Sequence, residues 1–78
     1  MEKERTLDRL PVGQRATVMA VTAPEEQGLR LLELGFVPGG TVTVLQESPW
    51  GDPVAYGICG AVIALRQEDA HHIFISGK

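Results

Sequence analysis

The sequence has little cysteine, few aromatic residues and no excess of positive charge, and each shortage excludes a class of protein. A single cysteine, Cys59, can form neither an intramolecular disulfide nor a cysteine-rich zinc site. Seven Lys and Arg residues face ten Asp and Glu residues, for a formal net charge of −3, which argues against nucleic-acid binding. Aromatic residues make up 5% of the chain, too few to line the groove of a proline-rich-peptide reader.

Long apolar segments are absent as well. The longest stretches without a charged side chain, residues 34–46 and 53–65, are 13 residues each, whereas a membrane-spanning helix needs about 20 apolar residues. The first ten residues, MEKERTLDRL, carry charges where a signal peptide would have its apolar core. We therefore expect a cytoplasmic protein with no direct membrane insertion.

What the sequence does contain is typical of one small β domain. The 78 residues are 44% hydrophobic and include nine glycines and five prolines, a composition that favours short strands joined by tight turns. Five short strands are predicted, at about residues 16–21, 41–47, 54–59, 61–66 and 73–75, with a bulge or bend at Gly57. They predict a small closed or half-closed barrel at residues 6–78, preceded by a flexible head at residues 1–5.

One helix interrupts the strands. Thr22 and Glu25 have the spacing of a capping box at its start, and Gly35 is placed to end it in a left-handed conformation. Phe36 would then contact Leu31. The leucines of this helix spread over an arc of about 220°, wider than the roughly 100° that one barrel face requires. Either neighbouring loops wrap the helix, or an apolar edge is left for a partner.

The chain carries no motif that predicts catalysis. It has no nucleophile elbow, no phosphate-binding GxxxxGK[ST] loop and no HExxH pair, so we predict a protein that is not an enzyme and has no catalytic residues. The weak metal-ligating candidates are Glu68, Asp69, His71 and His72, with Cys59 as an addition from a neighbouring strand. Adjacent histidines that enter a strand point to opposite faces, so no complete site and no resident cofactor are predicted. Cys59 is expected to be a small core residue.

Several segments, in order, resemble the FeoA family. They are TLDRLPVG at residues 6–13, RLLELGFVPG at 30–39, TVTVLQ at 41–46, GDP at 51–53 and AVIALRQEDAHHIFI at 61–75. The resemblance covers nearly the whole chain. It implies an SH3-like five-stranded β-barrel with an inserted helix, and an accessory role in bacterial ferrous iron transport. It also implies a partner, the cytoplasmic face of the membrane transporter FeoB, but no agreed catalytic or metal-binding residues.

The leading hypothesis is therefore an adaptor that acts by protein–protein interaction. The alternatives are the SH3-like domain of an iron-dependent transcriptional regulator and a protein that binds Fe²⁺ or another divalent metal weakly; weak self-association is left open. Trp50 either anchors a partner or closes one end of the barrel. The residues predicted to bind the partner are those of the helix, the following turn and the Trp50 loop: Gln27, Arg30, Leu31, Glu33, Leu34, Phe36, Pro38 and Trp50.

Overall fold

Six antiparallel strands form one sheet in a computed structural model that describes residues 5–76. The strands are β1 (Arg5–Thr6), β2 (Arg15–Val21), β3 (Thr41–Glu47), β4 (Val54–Ile58), β5 (Ala61–Leu65) and β6 (Ile73–Ser76). Their order across the sheet is β1-β6-β2-β3-β4-β5. A 3-10 turn, Leu7–Arg9, follows β1, and the helices are α1 (Glu25–Leu34) and α2 (Gln67–Ala70). The mainly β fold with one long helix is confirmed.

The additional strand is β1, in which Arg5 pairs with Ile75 and Thr6 with Phe74. Two residues are too short to show a period in the sequence. Arg5 was predicted to belong to the flexible head, and that boundary is wrong because the residue is part of the sheet. Residues 1–4 of the predicted head, and residues 77 and 78, lie outside the described residues.

Alternate residues of the strands point into one apolar core, to which α1 and the two short helical turns contribute. Its buried members are Leu7, Leu10, Ala16, Val18, Leu31, Phe36, Val42, Val44, Val54, Tyr56, Ile58, Leu65, Ala70, Ile73 and Ile75. The rings of Phe36 and Tyr56 meet edge to face, with centroids 6.4 Å apart. None of the helices between residues 5 and 76 is long and apolar enough to span a bilayer.

The sheet bends where its register shifts, at Met19 in β2 and Leu45 in β3. The bulge or bend predicted at Gly57 is wrong, because Gly57 pairs in regular register with Thr43 and Val62. A Cβ at Gly57 would lie 3.5 Å from the Leu45 side chain. That distance is an ordinary van der Waals contact, so neither the strand register nor the space around Gly57 requires glycine at this position.

The start of α1 differs from the prediction. Pro24 is the N-cap and no side chain caps the helix, so the capping box of Thr22 and Glu25 does not form. The Thr22 hydroxyl instead donates to the carbonyl of His72 at 3.2 Å, and the Thr22 backbone N–H donates to the same oxygen at 2.8 Å. This contact is 50 residues away in sequence, so local spacing could not reveal it. It joins the entry of α1 to the start of β6.

The end of α1 is as predicted. Gly35 has φ of +115°, its N–H donates to the Leu32 carbonyl at 3.0 Å, and the Phe36 N–H donates to the Leu31 carbonyl at 3.1 Å. This is the Schellman arrangement, in which an apolar contact accompanies the two hydrogen bonds. Both Leu31 and Phe36 are completely buried. The left-handed residue therefore turns the chain from the helix directly into the core.

Replacing Gly35 with alanine should destabilise the protein more than the same change at Gly13. Both glycines have positive φ, but only at Gly35 would the new Cβ meet another group, the Cys59 Sγ at 3.2 Å. We expect a loss of about 1 kcal/mol for Gly13→Ala from backbone strain alone, and about 2 kcal/mol for Gly35→Ala. Denaturant unfolding measures both. Equal losses would show that the contact with Cys59 carries no cost.

Burial raises the pKa of the Tyr56 phenol to about 12, and the negative charges of Asp8, Asp52 and Glu47 add to the effect. The group holds its proton more tightly in the folded protein than in the unfolded chain, where its pKa is about 10. Stability that depends on the protonated phenol is therefore complete below pH 10. It is lost as the pH rises from about 10 to about 12.

Absorbance of the phenolate tests this directly, because Tyr56 is the only tyrosine in the chain. We expect the folded protein to titrate with a midpoint near pH 12, and the protein in denaturant to titrate near pH 10. Circular dichroism at each pH reports whether the chain is still folded. A midpoint near pH 10 in the folded protein would show that the phenol is accessible to water.

Candidate interaction surfaces

The polar side of α1 is held against α2 by a single carboxylate. Asp69 accepts a hydrogen bond from the side-chain amide of Gln27 and lies 3.9 Å from the Nη2 of Arg30. The Asp69 side chain is 14% exposed, whereas that of Arg30 is 65% exposed, so the ion pair itself contributes little. Gln27 and Arg30, both predicted to bind a partner, are thus engaged within the molecule.

The predicted apolar contacts on α1 divide between core and surface. Leu31 and Phe36 are completely buried, so the prediction that they contact a partner is wrong. Leu34 is half-buried against the core. Glu33 and Pro38 are exposed and stay available.

Sequence reasoning missed the leucines that do face solvent. Leu29 is 58% exposed, and Leu32 and Val37 are each 38% exposed. Neighbouring loops therefore do not wrap the helix, and an apolar edge is left. The expected contact between Leu31 and Phe36 could have revealed this, because a leucine that meets Phe36 in the core leaves Leu29 and Leu32 on other sides of the helix. We give the name α1 outer face to five of the exposed residues of α1 and the following turn: Leu29, Leu32, Glu33, Val37 and Pro38.

Trp50 forms a second exposed site. Its side chain is 90% exposed, so the alternative in which it closes one end of the barrel is wrong. The turn that carries it is nevertheless well fixed, since the Gly51 N–H donates to the Ser48 carbonyl at 2.8 Å. The side-chain amide of Gln67 donates to the Gly51 carbonyl at 2.8 Å, and the Gln67 backbone N–H donates to the Asp52 carboxylate at 2.9 Å. A large apolar ring on a fixed turn loses little entropy on binding.

The short helix α2 connects the two sites. Its first residue, Gln67, holds the Trp50 turn, and its third, Asp69, holds α1. At its end, the His71 Nδ1 lies 3.3 Å from the Asp8 carboxylate, which ties α2 to the 3-10 turn. One helical turn therefore sets the positions of both exposed apolar sites.

The weak metal candidates do not assemble into a site. His71 faces Asp8, whereas His72 lines an open cleft of about 580 Å³ together with Gln27, Arg30, Glu26, Glu68 and Asp69. The two imidazole rings nevertheless meet edge to face, with centroids 6.3 Å apart. The prediction that they point to opposite faces is therefore wrong, because both histidines lie in the turn before β6 rather than in the strand. Within residues 5–76, no group of three His, Cys, Asp or Glu side chains is close enough to hold a metal ion.

Cys59 is exposed, so its predicted place in the core is wrong. It lies with Gly60 in the two-residue turn between β4 and β5, where both residues have positive φ, as in a type I′ hairpin. Its thiol donates to the Gly35 carbonyl at 3.6 Å. The requirements of the turn, rather than hydrophobic burial, determine where this cysteine lies.

Removal of the Asp69 carboxylate should loosen α1. Asp69→Ala leaves the partly buried amide of Gln27 without its acceptor, and we expect a loss of about 1–2 kcal/mol in the free energy of unfolding. Glu68→Ala, at the exposed neighbouring position of the same turn, is the matched control and should change stability by less than about 0.5 kcal/mol. Thermal and denaturant unfolding measure both variants. Equal effects would show that Asp69 does not hold α1.

Comparison with known proteins places this geometry in a family. The sequence model of the FeoA domain family matches residues 5–77. The chain belongs to the FeoA domain family. This FeoA domain is 42% identical over 67 residues to a protein of Porphyromonas gingivalis named Fe(2+) transport protein A/Fe(2+) transporter FeoB fusion protein. The match covers 86% of the chain but 8% of the relative, so the chain spans a small part of that protein's length.

Solved FeoA structures share the fold. The FeoA protein of Chlorobium tepidum superposes with a TM-score of 0.85 at 34% identity, covering 91% of this chain and 68% of the other. FeoA of Stenotrophomonas maltophilia, crystallised with zinc and described as a procaryotic SH3 domain protein, gives a TM-score of 0.80 at 32% identity. That match covers 90% of this chain and 87% of the other. The SH3-like architecture is therefore confirmed, and the family is one of ferrous iron transport.

Proposed function

We propose that this FeoA domain is a non-enzymatic adaptor of ferrous iron uptake that binds the cytoplasmic face of a FeoB-type transporter. The main support for this proposal is the fusion protein of Porphyromonas gingivalis, whose name describes Fe(2+) transport protein A and the transporter FeoB as parts of one polypeptide. Fusion holds two domains at high effective concentration, an arrangement that suits domains which act on each other. The proposal places the domain in the cytoplasm.

The two exposed apolar sites support recognition of a protein. The α1 outer face offers Leu29, Leu32 and Val37, and the fixed turn beside α2 offers Trp50. Large apolar side chains on a rigid frame are the anchors that dominate protein–protein binding energy. Gln27 serves the adaptor indirectly, since its hydrogen bond to Asp69 orients α1, whereas most of the Arg30 side chain stays exposed.

Iron enters this proposal as the cargo of the transporter, and the domain itself needs no resident metal. A folding-linked metal would require a ligand shell that the four weak candidates do not supply, since within residues 5–76 no three His, Cys, Asp or Glu side chains are close enough to hold a metal ion. The regulator alternative receives less support, because the curated relative is named a transport protein.

Binding to a purified FeoB-type transporter in detergent tests the proposal. The transporter is immobilised, and the affinity of this domain is measured with and without guanine nucleotide, Fe²⁺ and a chelator. We expect specific binding in at least one nucleotide condition, with the domain equally folded in iron and in chelator. Absence of binding in every condition would contradict the adaptor function.

Matched variants locate the contact. Leu29→Lys and Glu33→Lys alter the α1 outer face, Trp50→Ala removes the exposed ring, and Val12→Lys alters an apolar residue that is 50% exposed outside both sites. We expect a roughly tenfold or greater loss of affinity from at least one of the first three, and less than about twofold from the control. An equal loss of affinity from Val12→Lys would contradict the proposal that the transporter binds at the α1 outer face or at Trp50.

A further inference from the structure

Strand β5 is an outer strand with none of the features that usually protect a sheet edge. In the described part of the chain it pairs with β4 and with no other strand. Its sequence, AVIAL, contains no charge, no proline and no glycine. Val62 is 69% exposed, and Ala61 and Ala64 are exposed. Natural proteins normally blunt such edges with charge, proline or a bulge, because free backbone groups pair with any suitable strand.

The register shows which backbone groups are free. Ile58 and Ala61 flank the two-residue turn and form a hydrogen-bonded pair, as in type I′ hairpins. Hydrogen-bonded and non-bonded pairs alternate along an antiparallel ladder, so Ile63 also bonds to β4, at Tyr56. Val62 and Ala64 face Gly57 and Ala55 as non-bonded pairs. Their N–H and C=O groups therefore point away from β4, toward the open edge.

We propose that β5 pairs antiparallel with β5 of a second copy of this chain, about a two-fold axis at Ile63. In that register Val62 lies opposite Ala64 of the second copy, and the reciprocal pair is formed by symmetry. Each pair exchanges two N–H···O=C bonds, so all four free backbone groups of each edge are satisfied. The two sheets become one continuous sheet across the contact.

The side chains favour a second copy as the occupant. The larger Val62 meets the smaller Ala64, and the next pair outward, Ala61 with Leu65, is also large against small. No like charges lie opposite each other, because Arg66 falls opposite Gly60 and lies beside its own Asp52. An uncharged edge does not favour pairing with a charged strand. A second β5 strand fits this edge, because large and small side chains lie opposite each other.

The contact is small, which makes the dimer weak. The described residues expose 5030 Å², and a standard stable interface buries about 800 Å² from each partner, or roughly a sixth of that surface. A five-residue edge offers only part of this area. We expect a dissociation constant of about 100 μM, with association that strengthens as salt screens the like net charges.

Backbone amide exchange tests the pairing residue by residue. The ¹⁵N-labelled chain is compared by NMR at about 50 μM and about 1 mM, beside sedimentation equilibrium. We expect the amides of Val62 and Ala64 to exchange several-fold more slowly at the higher concentration. The Ile63 amide, already bonded to β4, should change little. Unchanged exchange at Val62 and Ala64 with a monomer throughout would overturn the proposal.

Two substitutions at one position separate the edge from other surfaces. Ala64→Pro removes the outward N–H without breaking a β4 hydrogen bond, and proline is tolerated at such edge positions. Ala64→Thr, the matched control, keeps the N–H in a good strand former. We expect the proline variant to be monomeric at about 1 mM and the threonine variant to dimerise like the parent. If the proline variant does not fold, Val62→Lys replaces it as the variant that is expected to be monomeric.

Two results would assign a different contact. Dimerisation of folded Ala64→Pro or Val62→Lys as strong as that of the parent would place the interface elsewhere. Protection of Val62 and Ala64 that appears only when the transporter is added would make a transporter strand, rather than a second copy, the occupant of this edge.

Discussion

Gly35 has to adopt a φ of +115° for α1 to end where it does, and the position of the exposed leucines of α1 depends on that ending. The left-handed residue directs Phe36 into the core, where its ring meets Tyr56. With Leu31 facing the same core, the helix can rotate little about its axis, so Leu29 and Leu32 are held in solvent. The turn at Cys59 packs against Gly35, which couples the end of α1 to the β4–β5 hairpin.

The parts of this arrangement that follow from neighbouring residues could be predicted. Gly35 and Phe36 predict the end of a helix, because that ending depends on the backbone conformation of neighbouring residues. The alternation of apolar and polar residues in β3 predicts a strand for the same reason. The parts that depend on distant residues could not. The Thr22 hydroxyl does not cap α1 because it bonds to the carbonyl of His72, and Arg30 lies beside Asp69, which is 39 residues away in sequence. The predicted partner-binding residues are the least accurate part of the sequence analysis. Whether Leu31 or Leu29 faces solvent depends on how the helix is rotated about its axis, which the sequence alone does not determine.

The fold alone does not assign a function, because small SH3-like barrels serve many purposes. In this FeoA domain the polar residues that make side-chain hydrogen bonds have a structural role. Gln27, Gln67 and Asp69 act within the molecule and fix two elements, while Leu29, Leu32 and Trp50 on those elements are exposed. Polar contacts thus supply rigidity and apolar groups supply contact area, a division suited to binding another protein.

The central claim is that the outer face of α1 and Trp50 contact the transporter while the inner face of α1 stays in the core. Methyl cross-saturation NMR of this domain bound to a FeoB-type transporter measures it, with Leu31 as an internal reference one residue from Leu32. The account predicts that the methyl signals of Leu29 and Leu32 and the indole signal of Trp50 are attenuated, and that Leu31 is not. Attenuation confined to residues outside both sites, with Leu29, Leu32 and Trp50 unaffected, would contradict it.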